Sequence, residues 1–251
     1  MKIFKKFKTA WLILINYFYY TARPHILNPI HFLRLISDKN GKSNFKKIDD
    51  GDLFRLVEIL RKKSQSTGCE YADYLTLYEK VITNKPKSIL ELGCGISTCV
   101  MAYALKKNKD NYGIDGKITT MEESKYYYEN FLQIIPNDLK NFIQVIYSER
   151  KTKYFTDSDL GCFYNEIPIS ESKFGYDFLF IDAPQTKYPE DEKKCFDADL
   201  INLINDNKLD DCFIILDQRI GTLWTLNKIL PFLKLKYNVV KRHATSFLIK
   251  Q

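Results

Sequence analysis

From position 87 onward, apolar residues fall into short runs separated by helical stretches. Seven runs have the length of strands, and they are Ser88 to Leu92, Lys117 to Met121, Phe142 to Tyr147, Tyr176 to Ile181, Cys212 to Leu216, Tyr237 to Arg242 and Thr245 to Ile249. Nearly continuous apolar strands that alternate with helices predict a parallel sheet covered on both faces. The last two runs, linked by His243 and Ala244, predict an antiparallel pair at one edge.

Two helical patterns precede these strands. The first follows Asp50, the expected N-cap, and its apolar stripe consists of Leu53, Leu56, Val57 and Leu60. The second runs from Tyr71 to Thr83 and is expected to stop at Asn84 and Pro86. Further along, the polar stretch from Lys106 to Gly116 is expected to form a loop before the second strand.

The first 21 residues combine a basic end with an apolar face. The run from Ala10 to Tyr20 is too short to cross a bilayer, which needs roughly 20 apolar residues. A helix lying in a membrane interface fits this composition, and packing on the protein or on a second subunit of a homo-oligomer fits it equally well. We therefore divide the chain into a helical N-terminal extension, residues 1–69, and a main domain, residues 70–251.

Composition narrows the class of protein further. The 251 residues are 45% hydrophobic and carry a net charge of +7, but the lysines beyond the first eight residues are scattered. Because no basic stripe is interleaved with aromatic residues, nucleic-acid binding is not expected. The six cysteines are irregularly spaced, which indicates neither a zinc site nor a disulfide framework. A reducing, cytoplasmic location follows as the default, and the basic N-terminus would place the protein peripherally on the inner face of a membrane.

The candidate functional residues lie where the predicted strands end. In an open parallel sheet, ligands bind at the carboxyl ends of the strands. Polar and mostly acidic residues close five successive strands of the predicted sheet, and they are Glu91, Glu122 and Glu123, Ser148 and Glu149, Asp182, and Asp217 to Arg219. A single polar strand end is ordinary, but five in succession predict a binding site along this edge.

The stretch SILELGCGIST, residues 88–98, joins the first strand to a helix through two glycines. Gly93 and Gly95 lack a Cβ atom, so the backbone can approach a ligand closely. Ser97 and Thr98 stand at the helix N-terminus, where free N–H groups favour a carboxylate. Glu91 suits a cation such as an amino group, and the turn is therefore expected to bind an amino acid.

Glu122 closes the second strand, where an acidic residue can accept two hydrogen bonds from a ribose. The site is then suited to an amino acid joined to a nucleoside. S-adenosylmethionine has this description and is the expected cofactor.

From Tyr71 to Ile249 the chain resembles the class I S-adenosylmethionine-dependent methyltransferases. The resemblance is carried by Glu91-Leu-Gly-Cys-Gly95, by ITTMEES at the second strand and by YDFLFIDAP at the fourth. It implies an α/β, Rossmann-like fold with a seven-stranded, mostly parallel sheet, helices on both faces and an antiparallel last strand. The residues it assigns are Glu91, Gly93 and Gly95 for the methionine part, Glu122 for the ribose, Ser148 near the adenine and Asp182 beside the sulfonium.

An alternative interpretation is a nicotinamide-dependent oxidoreductase. The sequence departs from the glycine fingerprint of that class in two ways. Thr98 stands in the place of a third glycine, which weakens that alternative more than methyl transfer. Glu122 also lies farther beyond the glycines than the roughly 20 residues of the nicotinamide fingerprint. A methyltransferase-like binding protein without catalysis is a third interpretation, although the motif residues occur together.

Two mechanisms are open for removal of the proton from the methyl acceptor. Asp182, Asp217 and Gln218 resemble the metal ligands of catechol-type and sugar-modifying O-methyltransferases, and oxygen ligands suit Mg²⁺. In the other mechanism a side chain is the base, with Asp182 favoured over His243. Tyr188 and Arg219 are expected to bind the acceptor, which we expect to be a small molecule or a sugar or glycan that is O-methylated.

Overall fold

The computed structural model of the protein describes residues 29–65, 69–170, 175–183, 194–238 and 241–249. Its α-helices are α1 (Pro29–Phe45), α2 (Asp52–Lys63), α3 (Tyr71–Asn84), α4 (Ile96–Tyr112), α5 (Lys125–Ile134), α6 (Asp199–Asn205) and α7 (Ile220–Ile229). Its strands are β1 (Ser88–Leu92), β2 (Lys117–Glu122), β3 (Ile143–Tyr147), β4 (Arg150–Tyr154), β5 (Leu160–Tyr164), β6 (Tyr176–Ile181), β7 (Phe196–Asp197), β8 (Leu209–Asp217), β9 (Lys236–Asn238) and β10 (His243–Leu248). Short 3-10 helices occur at Ile48–Gly51, Lys140–Phe142 and Pro231–Leu233.

Seven strands form the main sheet, in the order β3-β2-β1-β6-β8-β10-β9. The neighbours from β3 to β8 are parallel, whereas β10 is antiparallel to both β8 and β9. The predicted fold class, a Rossmann-like and mostly parallel sheet with an antiparallel pair at one edge, is therefore confirmed. The order reverses beside β1, which puts the switch point of the sheet at the glycine turn.

Two hydrophobic cores cover the two faces of this sheet. Ile89 of β1 belongs to one core together with Val57 of α2 and Val81 of α3. Leu90, the next residue along the same strand, belongs to the other core together with Leu226 of α7. Because successive side chains of a strand point to opposite faces, a strand buried on both sides must be apolar throughout. The predicted helices on both faces are confirmed in this way.

The N-terminal region is described from residue 29 onward. Helices α1 and α2 pack on the main domain, where Gly41 of α1 lies close to Ala72 of α3 and Phe45 contacts Tyr71 and Tyr74. The predicted membrane-interface segment, residues 1–21, lies outside the described residues. Among the residues that are described, no helix is long and apolar enough to cross a membrane.

Two sequence expectations about helix ends are wrong. Asp50 is not the N-cap of α2, because a 3-10 helix runs on to Gly51, whose φ of +88° ends it, and α2 begins at Asp52. The expected loop from Lys106 to Gly116 is largely helical, because α4 continues to Tyr112 and ends at Gly113 in the left-handed conformation. The polar residues of this segment mostly form the exposed face of α4, and Asn108 is buried and donates a hydrogen bond to the carbonyl of Val81.

The link expected at His243 and Ala244 is also misplaced. Both residues belong to β10, where His243 pairs with Asp217 of β8 and Ala244 with Leu216. Burial of both residues explains why they continue the strand. Lys241 and Arg242 form a turn directly before β10 instead.

A second, smaller sheet was not predicted. It has the order β4-β5-β7, with β4 antiparallel and β7 parallel to β5. Arg150, Lys151 and Lys153 make β4 polar, and β7 has only two residues, so neither strand shows the hydrophobic pattern of a strand. This sheet joins the chain segment before β6 to the segment after it.

Candidate active site

The carboxyl ends of four adjacent strands bring four acidic side chains to one edge of the main sheet. Glu91 is on β1 and Glu122 on β2, whereas Asp182 follows β6 and Asp217 ends β8. The prediction that these strand ends meet along one edge is confirmed by the strand order. The local contacts then decide what each carboxyl group can do.

The turn after β1 depends on glycine at position 93. Gly93 has a φ of +102°, and a Cβ atom there would lie 2.9 Å from the Cβ of Ala183. Its N–H donates to the carbonyl of Met121 at 2.8 Å, which fixes the turn against β2. A side chain would therefore be both strained and obstructed, and the backbone at this point is held bare and close to its neighbours.

Glu91 lies beneath this turn. Ser97 Oγ donates to Glu91 Oε1 at 2.6 Å and Thr98 Oγ1 donates to Oε2, while the N–H of Gly95 donates to Thr98 Oγ1 at 3.0 Å. Burial raises the pKa of Glu91 to about 8, although the hydroxyl groups oppose the rise. The carboxyl group therefore holds the start of α4 in place.

These contacts correct the predicted role of Glu91 and leave the one predicted at Ser97 and Thr98 to their backbone N–H groups. The Glu91 side chain has 0% exposure, so it presents no surface to the amino group of a ligand. The hydroxyl groups of Ser97 and Thr98 face Glu91 instead of a ligand carboxylate. The backbone N–H groups in the first turn of α4 are what this segment can offer to an anion.

Glu122 is oriented by two loop backbones. Its Oε1 accepts from the N–H of Ser124 at 2.8 Å, and its Oε2 accepts from the N–H of Cys94 at 3.3 Å. The N–H of Ser148 donates to the carbonyl of Glu122 at 3.0 Å, so the ends of β2 and β3 are fastened together. Glu122 and Ser148 thus lie beside each other, and their contacts with ribose and adenine stay predictions.

Asp182 and Asp217 form a carboxyl pair. Asp217 lies on the next strand and hydrogen-bonds Asp182 through its side chain. Burial raises the pKa of Asp182 to about 6, and burial together with the nearby charge of Asp182 raises the pKa of Asp217 well above its usual range. The two carboxyl groups therefore titrate as a pair, in which Asp217 is the hydrogen-bond donor and Asp182 the acceptor.

Residues from the start of α3 border this pair and were missed in the sequence. Cys69 Sγ lies 4.0 Å from Asp182 Oδ2, and the charge of Asp73 raises the pKa of both Asp182 and Asp217. Asp73 also accepts the N–H of Glu70 at 2.8 Å in a capping box. The spacing of Glu70 and Asp73 agrees with the helix start predicted at Tyr71, but it does not indicate what that helix start faces.

Arg219 has a different environment from the one expected. It donates to both oxygens of Asp197 at 3.2 Å and to the main-chain carbonyl of Asp182. Asp197 has 1% exposure and also accepts from the hydroxyl of Thr222 at 2.9 Å. These contacts replace the predicted binding of an acceptor group by Arg219 with a structural role beside Asp182.

Of the remaining predicted residues, the structure describes some and not others. Tyr188 lies outside the described residues. Gln218 has a φ of +38°, and its N–H donates to the carbonyl of Arg242 at 2.7 Å. Within the described ranges, no cluster of three or more His, Cys, Asp or Glu residues could hold a metal ion, so the predicted Mg²⁺ is not supported.

His243 is buried opposite Asp217, and burial together with the positive charge of Lys241 lowers its pKa to about 4. Its ring Nδ1 lies 3.1 Å from the carbonyl oxygen of Lys241. This neutral, buried imidazole fits a structural residue.

Comparison with known proteins identifies the fold. No protein-family model matches the sequence, and no curated protein matches it either. Among solved structures, the methyltransferase PaMTH1 of Podospora anserina, bound to S-adenosylhomocysteine, matches with a TM-score of 0.51 at 14% identity, over 79% of this chain and 88% of that one. The chain has the fold of the class I S-adenosylmethionine-dependent methyltransferases.

Two further structures show weaker likeness. The O-methyltransferase of Bacillus cereus, in complex with S-adenosylhomocysteine, has a TM-score of 0.48 at 15% identity over 81% of this chain and 93% of that chain. CalS11, a TDP-rhamnose 3'-O-methyltransferase of calicheamicin biosynthesis, has a TM-score of 0.45 at 13% identity over 90% of this chain and 97% of its own.

Proposed function

We propose that the protein is an S-adenosylmethionine-dependent methyltransferase that methylates a hydroxyl group of a small molecule or of a sugar or glycan. One observation carries the proposal. Glu122 and Asp182, on the strands that flank β1, lie on either side of a turn whose backbone is kept bare by Gly93. In this fold the turn is at the switch point of the sheet, where a ligand can contact all three strand ends.

The residues present fit this cofactor. Backbone N–H groups of the first turn of α4 suit the carboxylate of its amino-acid part, and the Glu122 carboxylate, already oriented by Cys94 and Ser124, suits the two ribose hydroxyl groups. When bound, S-adenosylmethionine supplies an activated methyl group that is transferred in line to a nucleophile. Binding and orientation are therefore the main work of the protein.

Asp182 is the proposed general base. With a pKa of about 6 it is ionised at neutral pH, and it lies beside the position expected for the reacting group. A protonated Asp217 donates its hydrogen bond to Asp182, which keeps that carboxylate oriented and free of strong repulsion. Asp182 can then accept the proton of the acceptor hydroxyl as the new bond forms.

Two finer proposals remain attached to this function. Metal assistance is the alternative to the base mechanism, because Asp182 and Asp217 would both have to be ionised to bind Mg²⁺. A chelator that abolishes turnover would support it and would contradict the protonated Asp217. Residues 1–21 are proposed to hold the protein on the inner face of a membrane. Flotation of the full chain with anionic liposomes, compared with a chain that starts at Pro24, tests this second proposal.

Titration calorimetry of the purified full chain with S-adenosylmethionine tests the proposed function. We expect binding of the cofactor and no binding of NAD. Glu122→Gln should weaken binding by about tenfold or more, since it removes a charged acceptor. Glu123→Gln is the matched control, because this neighbouring carboxylate lies 3.6 Å from Arg150. Binding of NAD in place of S-adenosylmethionine, or equal loss in both variants, would contradict the assignment.

A further inference from the structure

A pair of cysteines lies in the small sheet, apart from the strand-end site. Cys162 is on β5, and Cys195 immediately precedes β7. In the register of these parallel strands Cys162 pairs with Asp197, so Cys195, two residues earlier, points to the same face. The two thiols are hydrogen-bonded to each other, and Cys162 Sγ also lies 3.5 Å from the carbonyl oxygen of Phe196.

The surroundings of the two thiols differ. Cys162 has no exposed surface, whereas Cys195 has 7% exposure. The hydrogen bond from Cys162 and the positive charge of Arg150 lower the pKa of Cys195, while the pKa of Cys162 is raised by the same hydrogen bond and by burial. A thiol with a lowered pKa and some exposure, next to a fully buried thiol that can resolve it, is the arrangement of a redox-sensitive pair.

We propose that Cys162 and Cys195 form a disulfide when the protein meets a hydroperoxide. The Cys195 thiolate attacks the peroxide, an S–O bond forms, the O–O bond breaks, and the leaving oxygen takes a proton from solvent. The sulfur of Cys162 then attacks the sulfenic acid, the S–S bond forms, and the S–O bond breaks with release of water. The two thiols lose two electrons, which reduce the hydroperoxide to an alcohol, or to water from hydrogen peroxide.

The other four cysteines provide an internal comparison. Cys94, Cys99 and Cys212 are buried in the main domain and have raised pKa values. Cys69 is held protonated by burial and by the nearby charges of Asp182 and Asp217. The proposal therefore specifies one pair of the six cysteines, and it does not depend on methyl transfer.

The disulfide would fasten β7 to β5 next to the residue that holds Arg219. Phe196 and Asp197 follow Cys195 directly, and Asp197 accepts both hydrogen bonds from Arg219. The disulfide would therefore form in a part of the fold that the side chain of Arg219 connects to Asp182.

Peptide mapping tests the proposal on the full chain. After mild treatment with hydrogen peroxide, the protein is alkylated while denatured and digested with trypsin without reduction. Each cysteine of the pair falls in its own peptide, residues 154–173 and 195–208. We expect these two peptides to be linked, with the loss of two hydrogen atoms, and to separate again after treatment with a dithiol, while the other four cysteines stay alkylated.

Cys195→Ser is the matching variant and should keep five titratable thiols after the same treatment. A native protein that keeps all six thiols, or a bridge that joins other cysteines, would overturn the proposal. Equal loss of two thiols in Cys195→Ser would also overturn it. Since the linked peptide is identified in the native chain, the result does not depend on folding of the variant.

Discussion

The guanidinium of Arg219 donates to the main-chain carbonyl of Asp182 while it holds the carboxylate of Asp197 at 3.2 Å. The backbone just after β6 is thereby tied to the small sheet through one side chain. A buried ion pair gains little net stability, but removal of one partner leaves the other uncompensated. The position of Asp182 therefore depends on a residue that does not need to contact substrate.

Arg219→Ala should destabilise the protein by about 3 kcal/mol, because it leaves the Asp197 carboxylate buried without its cation. Urea unfolding measures the free energy of unfolding. The double variant Arg219→Ala/Asp197→Ala should lose less than the sum of the two single variants. Additive losses would show that the two residues are not coupled.

Glu91→Gln should flatten the dependence of stability on pH. The pKa of Glu91 is about 8 in the folded protein and about 4.3 in an unfolded chain. The folded state thus binds more protons between these values, and the contribution of Glu91 is complete below pH 4.3 and is lost as the pH rises towards 8. Urea midpoints at pH 5.5 and pH 8 should differ less in the variant than in the native chain.

A difference between the two midpoints that is unchanged in Glu91→Gln would contradict this assignment. Glu79→Gln, on the surface of α3, serves as the control and should leave the pH dependence as it is in the native protein.

Gly93→Ala should lower both stability and cofactor affinity. Its positive φ costs roughly 1–3 kcal/mol for a residue with a side chain, and the Cβ atom would also press on Ala183. Gly113→Ala is a matched control, because Gly113 has a φ of +67° but no atom within 4 Å of the added Cβ. Calorimetry should show weaker binding of S-adenosylmethionine only for Gly93→Ala, and parallel effects in both variants would refute the role of the turn.

The activity of the native protein should rise with pH and level off above about 6, since the base form of Asp182 appears there. Asp182→Asn should reduce kcat by a factor of about 10²–10⁴. Initial rates of methyl transfer from pH 5 to pH 9 provide the measurement. A native profile without an acid limb near pH 6 would exclude Asp182 as the base.

Variants of Asp217 test whether the acid limb of the pH profile depends on a hydrogen bond from Asp217 to Asp182. Asp217→Asn keeps a hydrogen-bond donor beside Asp182 and should leave the limb near pH 6. Asp217→Ala removes the donor that lowers the pKa of Asp182, so its limb should move to higher pH. Identical profiles for the two variants would show that Asp217 does not donate to Asp182.

Much of the main sheet follows from the hydrophobic pattern. β1, β2 and β6 are short apolar runs flanked by turn residues, and a parallel sheet requires them to be buried on both faces. The pattern failed where polar residues are part of a buried element or of the exposed side of a helix. His243 in β10 is an example of the first, since its burial overrides the polar composition of the segment, and the second half of α4 is an example of the second, since its polar residues are mostly exposed.

The sequence predicts where the site residues lie in the fold, but it does not predict their hydrogen bonds. Strand ends in a parallel sheet share one edge, so the proximity of Asp182 and Asp217 follows from topology. The hydrogen bonds of Glu91 with Ser97 and Thr98 depend on the path of the turn, and those of Arg219 depend on the small sheet, which has no pattern of its own. Asp197 was missed for the same reason.

The order of strands also bears on how the chain folds. Ile89 of β1 pairs with Phe178 of β6, about 90 residues later, whereas it pairs with Ile118 of β2 after about 30 residues. Closing the longer loop costs more chain entropy and is the slower event. The β1–β2 pair can therefore form first. The glycine turn is then held by β2, and it contacts Ala183 only when β6 docks. Competence to bind a cofactor should then be among the last properties acquired during refolding.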